Sequence, residues 1–170
     1  MSSRFIHLHL HTEFSLADST IRVPEKPDEA RPEKAKRPNL LSRAVEMKLP
    51  ALAVTDRNNL FALIKFYKSA ESVGIKPIAG ADLSIVDGKE SPWQLTLLCR
   101  DHVGYLSLSR LLTRAWMEGH HLEGVAITPQ WLAEDCEGLF AIAGRNSYAG
   151  RLAAGGRHEL AEQHLADLQR

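Results

Sequence analysis

Net charge is what this chain most plainly lacks. Its 170 residues carry 21 basic and 21 acidic side chains, a formal balance of zero. Domains that bind nucleic acid on their own usually hold a basic excess for the phosphates, so strong autonomous binding of this kind is not expected. Cysteine is scarce as well. Cys99 and Cys136 are the two present, and they have no metal-finger spacing. Cys99 lies in the apolar run LTLLCR and reads as a buried free thiol, which fits a reducing cytoplasm. No apolar run reaches about 18 residues and no signal peptide opens the chain, so neither membrane insertion nor export is expected. What remains is an ordinary globular composition, 44% hydrophobic and 25% charged, long enough for one domain with a core.

Short apolar runs alternate with helical patterns. Strands are expected over 5–11, 50–56, 76–86, 93–100 and 138–144. Helices are expected over 39–49, 59–74, 103–118 and 128–135, with most of 148–170 helical too. In the second helix Leu60, Leu63, Ile64 and Tyr67 follow the i, i+3, i+4, i+7 template, and Gly74 is a C-terminal stop. Thr128 followed by Pro129 reads as an N-cap and first helical position. The alternation implies an α/β fold with a mainly parallel sheet, open or barrel-like. Chemistry in such folds sits at the C-terminal ends of strands. His9 and His11, Asp56 and Arg57, Asp82, and Arg145 with Asn146 fall at those ends.

The opening segment, FIHLHLHTEFS, sharpens this. Side chains of a strand alternate faces, so Phe5, His7, His9 and His11 share one face and Ile6, Leu8 and Leu10 the other. Imidazoles two residues apart stand about 7 Å from each other along a strand and can converge on one metal ion at its end. Thr12, Glu13, Ser15 and Asp18 follow at once. The competing reading is an edge strand with solvated histidines. His120, His121, His158 and His164 fit no ligand spacing and read as surface residues. Asp56 could serve a site or cap the following helix.

Residues 19–38 break the pattern, with four prolines and mixed charge. They cannot bury much apolar surface and read as a solvated loop. The last helix runs to the final residue with no closing strand, so the expectation is one domain cut from a longer chain.

The motifs HLHLHTEFSLAD (7–18), PALAVTDRNNLFALIKFYKSAESVGIKPIAGADLS (50–84), LTLLCRDHVGYLSLSRLLTRAW (95–116) and EGLFAIAG (137–144) resemble the PHP (polymerase and histidinol phosphatase) domain at the N-terminus of bacterial DNA polymerase III alpha subunits. The resemblance implies a distorted (β/α)7 barrel, present here as an N-terminal part of about five strands. Active members are metal-dependent phosphoesterases. Their ligand positions match His9, His11, Asp18 and Asp82, and His7 is then structural.

The departures matter as much. Metal-competent members of the polymerase branch read Thr-Asp-His-Gly where this chain reads Thr55-Asp56-Arg57-Asn58. A guanidinium cannot shed its proton to bind metal. Gln94 and Arg145 replace two further ligands, and a later Asp-x-His pair would lie beyond Arg170. The resemblance therefore implies a degenerate site with no catalytic residues in this chain and at most residual zinc or manganese. Arg57 and Arg145 are expected to stand in for metal charge by pairing with Asp18 and Asp82. The implied setting is DNA replication in the cytoplasm. The implied partners are the epsilon proofreading exonuclease and, through downstream domains, other polymerase subunits and DNA. The alternative is an active phosphoesterase or 3′-5′ exonuclease.

Overall fold

The structure is a computed structural model that describes residues 5–16, 18–23, 39–88, 91–121 and 124–168. It is mixed α/β, with a four-stranded sheet and a separate two-stranded hairpin. The chain forms two compact units, Met1–Gly80 and Ala81–Arg170, divided within the strand Lys76–Ile85.

In the first unit, α1 (Leu40–Glu46) starts at Asn39. The Asn39 side chain accepts from the Leu41 and Ser42 amides, and Ser42 Oγ accepts from the Asn39 amide. Donors that a helix start leaves without partners are thereby satisfied. β1 (Ala51–Val54) is buried at all four positions, as a strand covered on both faces must be. It pairs in parallel with the start of β2 (Lys76–Ile85), from Ala51 opposite Lys76 to Val54 opposite Ala79. α2 (Leu63–Ser72) lies between them in sequence. Gly74 ends this helix at φ +75°, a conformation that costs glycine nothing. Leu52, Val54, Leu41, Phe66 and Ile75 form the core of the unit, with Leu10 and Phe14 packed against it.

Several expectations shift here. Residues 5–11 run alongside β1 without forming a regular strand. One parallel bridge joins His7 to Leu52, and the Ala53 and Thr55 amides donate to the His7 and Leu10 carbonyls. Strict two-face alternation fails, since Leu8 is exposed while Leu10 reaches the core. The second helix begins at residue 63 rather than 59, because Asn59 is committed to a turn that holds Phe14 and Phe61. Its buried stripe is Ala62, Leu63, Phe66 and Ala70, whereas Ile64 and Tyr67 face solvent. Of the expected loop, residues 24–38 lie outside the described residues, while Val23 is a core residue at 2% exposure.

In the second unit, the rest of β2 continues next to β3 (Trp93–Cys99). α3 (His102–Glu118) is capped by Asp101, whose carboxylate accepts from the Gly104 amide. α3 packs on β3 and on β6 (Leu139–Ile142). Gly104 makes that contact close: a Cβ there would lie 1.9 Å from the Gly138 carbonyl oxygen. β4 (His120–His121) and β5 (Gly124–Val125) form a hairpin that the periodicity did not reveal. α4 (Pro129–Glu134) has Thr128 as its cap, as expected. β6 runs antiparallel to β3, from Thr96 opposite Ile142 to Cys99 opposite Leu139, so the sheet is mixed rather than mainly parallel. The tail is two helices, α5 (Tyr148–Ala154) and α6 (His158–Leu168), broken at Gly155 and Gly156. His164 is not a surface histidine: its ring packs against Trp93 and Tyr148, and its Nε2 is buried. That packing pulls its pKa below the ordinary histidine value by desolvation, against an opposing pull from Asp167.

Candidate metal centre

The loop after the opening histidines is built around one buried carboxylate. Asp56, 1% exposed, stands directly after Thr55, beyond the end of β1. Its Oδ1 accepts from the Thr12 amide at 2.6 Å and from Ser15 Oγ at 2.6 Å, and its Oδ2 accepts from Thr12 Oγ1 at 2.7 Å. A buried carboxylate needs such donors, because an unsatisfied charge in a dry interior is costly. Asp56 therefore neither caps the next helix nor belongs to the cluster of ligand atoms. It fixes the turn that follows the histidines. Asn58 adopts φ +52°, a left-handed conformation that asparagine tolerates better than most residues.

Ser15 organises the next layer. Its hydroxyl accepts from the Arg57 amide at 3.0 Å, and its carbonyl accepts from the Asp18 amide at 3.0 Å. Arg57 and Asp18 thus have their backbones tied to one residue. Their side chains meet: Arg57 Nη1 lies 3.2 Å from Asp18 Oδ2, and His11 Nδ1 lies 3.9 Å from the same oxygen. Both partners of the Arg57–Asp18 pair are partly exposed, 44% and 32%. The His9 and His11 rings lie 4.9 Å apart, close enough to serve one ion. His7 packs edge-on against Phe5 and accepts through its carbonyl from Ala53, in keeping with a structural role.

Asp82, on β2, is buried at 2% exposure and accepts from Thr96 Oγ1 of β3 at 2.5 Å. The His9 and His11 rings of the first unit offer imidazole nitrogens of the kind that bind zinc or manganese. Arg57 meets the expectation that it pairs with Asp18. Arg145 is exposed in the turn after β6. Gln94 is engaged with Asn146, whose carbonyl accepts from the Gln94 amide at 3.0 Å and whose side-chain amide donates to Gln94 Oε1 at 3.3 Å.

Sequence reasoning named His9, His11, Asp18 and Asp82 as ligand candidates but left the role of Asp56 open and gave Thr12 and Ser15 none. The available signal was two hydroxyl side chains directly after the histidines, opposite an aspartate at a strand end. No described helix is long and apolar enough to cross a membrane.

Comparison with known proteins gives the family. The chain is 67% identical over 169 residues to the DNA polymerase III subunit alpha of Xylella fastidiosa strain 9a5c, covering 99% of this chain and 14% of that protein. It is 38% identical over 171 residues to the same subunit of Pseudomonas aeruginosa, covering 98% of this chain and 13% of that protein. The chain thus spans about one-seventh of the length of these curated relatives. A solved structure from Bifidobacterium adolescentis, described as a metal-dependent phosphoesterase, aligns over 95% of this chain and 54% of its own at 16% identity and a TM-score of 0.39, too low to carry an argument. The PHP domain family matches residues 7–169, and the chain belongs to that family, in the form found in DNA polymerase III alpha subunits.

Proposed function

We propose that this chain is the PHP domain of a replicative polymerase alpha subunit with a degenerate metal site, and that its contribution is structural. In this reading it supports the polymerase body and docks the epsilon proofreading exonuclease. Polymerisation itself would use magnesium and carboxylates outside these residues. The observation that carries the reading is the 3.2 Å pair of Arg57 with Asp18: a fixed cation occupies one of the carboxylates that a second metal ion would need. The docking role rests on the resemblance and on the relatives' being polymerase alpha subunits.

The second reading is an active phosphoesterase or 3′-5′ exonuclease, favoured by the adjacent His9 and His11 rings. A divalent ion held there would lower the pKa of bound water and clamp phosphate oxygens. His9 and His11 would bind through neutral imidazoles.

The test is elemental analysis for zinc, manganese and iron on the untagged chain beside a His9→Ala/His11→Ala variant, with a phosphodiester hydrolysis assay on both. The proposed function predicts no turnover in either protein and at most one ion, lost in the variant. Metal-dependent turnover abolished in the variant would establish the second reading instead. Binding of purified epsilon exonuclease to the chain, measured by calorimetry, tests the docking role, and absence of any heat of binding would count against it.

A further inference from the structure

We propose that the apolar cavity of the second unit binds a small organic cation, an aromatic amine whose ring enters the cavity and whose ammonium faces two carboxylates in its lining. Every residue that lines this cavity lies within Ala81–Arg170, so the proposal is independent of the proposed function and of the opening histidines.

Three observations carry it. First, the cavity has the size and walls of a small-molecule site. It measures about 580 Å³, and Leu95, Leu97, Leu132 and Leu139 are among the side chains that line it. The helix α4, which supplies Leu132, is tied to α3. Arg114 Nη1 lies 2.6 Å from Glu134 Oε2, Arg110 Nε lies 2.6 Å from Asp135 Oδ1, and the Arg114 guanidinium sits 4.2 Å over the Trp131 ring. A wall held in this way is preorganised, which lowers the cost of binding.

Second, the charged lining has one sign. Asp87 and Asp167 line the cavity and are exposed, and no lysine or arginine lines it among the described residues. Such a lining draws in a cation and repels phosphate or carboxylate, so a nucleotide does not suit it. Trp93 and Tyr148 line it too, their ring centroids 6.2 Å apart, and aromatic faces favour both a flat apolar body and an ammonium.

Third, one buried polar atom of the lining lacks a partner. His164 packs against Trp93 and Tyr148, and its Nε2 is buried without a hydrogen bond. Leaving such an atom unmet is costly. Desolvation keeps this imidazole neutral at pH 7, and in its Nδ1–H tautomer Nε2 accepts a hydrogen bond from an ammonium.

The experiment titrates the 15N-labelled chain at pH 7 with 2-phenylethylamine, beside its neutral analogue 2-phenylethanol and the anion phenylacetate, and follows amide and indole N–H shifts by NMR. The amine is expected to move the Trp93 indole N–H and amides of the lining, and to bind about fivefold more tightly than the alcohol. Phenylacetate is expected to move none of these signals. In Asp87→Asn/Asp167→Asn the amine should fall to the affinity of the alcohol. In His164→Phe, which keeps an aromatic ring in place, the amine should bind about fivefold more weakly than to wild type. The spectrum of each variant shows whether it is folded. Equal wild-type affinities for amine and alcohol would overturn the proposal. So would wild-type shifts confined to residues outside the lining, or no shifts at all, and these outcomes are read without any variant. An amine preference that survives in the folded double aspartate variant would overturn the assignment of Asp87 and Asp167 as the groups that select the cation.

Discussion

The two compact units use their buried polar side chains differently. In the first, Thr12, Ser15, Thr55, Asp56, Asn58 and Asn59 are all buried, and they cluster where the opening segment meets the end of β1. They cap no helix and mainly tie loop to loop. In the second, Ser147 caps α5, while Thr96 serves the carboxylate of Asp82. In the same unit, Trp93, Leu95, Leu97, Leu132 and Leu139 line a cavity of about 580 Å³ with mostly apolar walls. Burying polar groups is expensive unless every donor and acceptor is met. A protein that builds a dense network away from helix ends is fixing a geometry, and in this chain the geometry fixed is the turn that follows His9 and His11. Caps in the second unit stabilise helices whatever the function.

The largest expected effect breaks the first network. Asp56→Ala removes three charge-assisted hydrogen bonds and leaves the Thr12 amide and two hydroxyls without their acceptor. Urea denaturation is expected to show a loss of about 3 kcal/mol. Asp56→Asn keeps an acceptor oxygen and should lose about half as much. Equal losses would mean that charge, not acceptor geometry, holds the loop.

A packing change should rank next, in the second unit. Gly104→Ala gains about 1 kcal/mol of helix propensity but places a methyl against the Gly138 carbonyl. Overcrowding of this kind costs about 1–3 kcal/mol, so a net destabilisation of about 1 kcal/mol is expected in thermal unfolding. A stabilised variant would show that α3 can slide away from the turn before β6.

Thiol chemistry gives a sharper but smaller contrast. Burial, reinforced by Asp101, pushes the Cys99 thiol up to about 11, while Cys136 is exposed. At pH 8 about one Cys99 in a thousand is ionised, and the thiolate is the reactive form. Iodoacetamide should therefore modify Cys136 first, as read by peptide mass spectrometry. Equal rates would mean that β3 is open to solvent at its end.

The smallest effect is on pH. The His164 pKa lies below its ordinary value, so the unfolded chain takes up the proton first on acidification. The stability it contributes is present above about pH 6.5 and is lost as pH falls through the depressed value. Wild type should lose more melting temperature between pH 7 and pH 5 than His164→Phe does. Identical pH dependence would mean that the ring is solvated and the packing on Trp93 and Tyr148 is loose.

Much of this was legible from the residues. Val and Ala runs flanked by Pro and Asp marked β1, and Thr128-Pro129 marked the start of α4, because these signals act over a few residues. His-x-His singled out the opening segment, whose His9 and His11 rings lie 4.9 Å apart. Long-range pairing was not legible. The antiparallel partnership of β3 with β6 joins residues 40 to 46 positions apart, and nothing in either strand encodes its direction. The stripe of α2 was misplaced for a related reason: two overlapping apolar patterns exist in its sequence, and packing on the core chose the one through Phe66. Local sequence determined which segments could be helix or strand, and it put a fixed cation, Arg57, directly after Asp56. Only the tertiary structure decided that Asp56 holds the loop and that Arg57 reaches Asp18, because those outcomes depend on where distant backbone brings each charge.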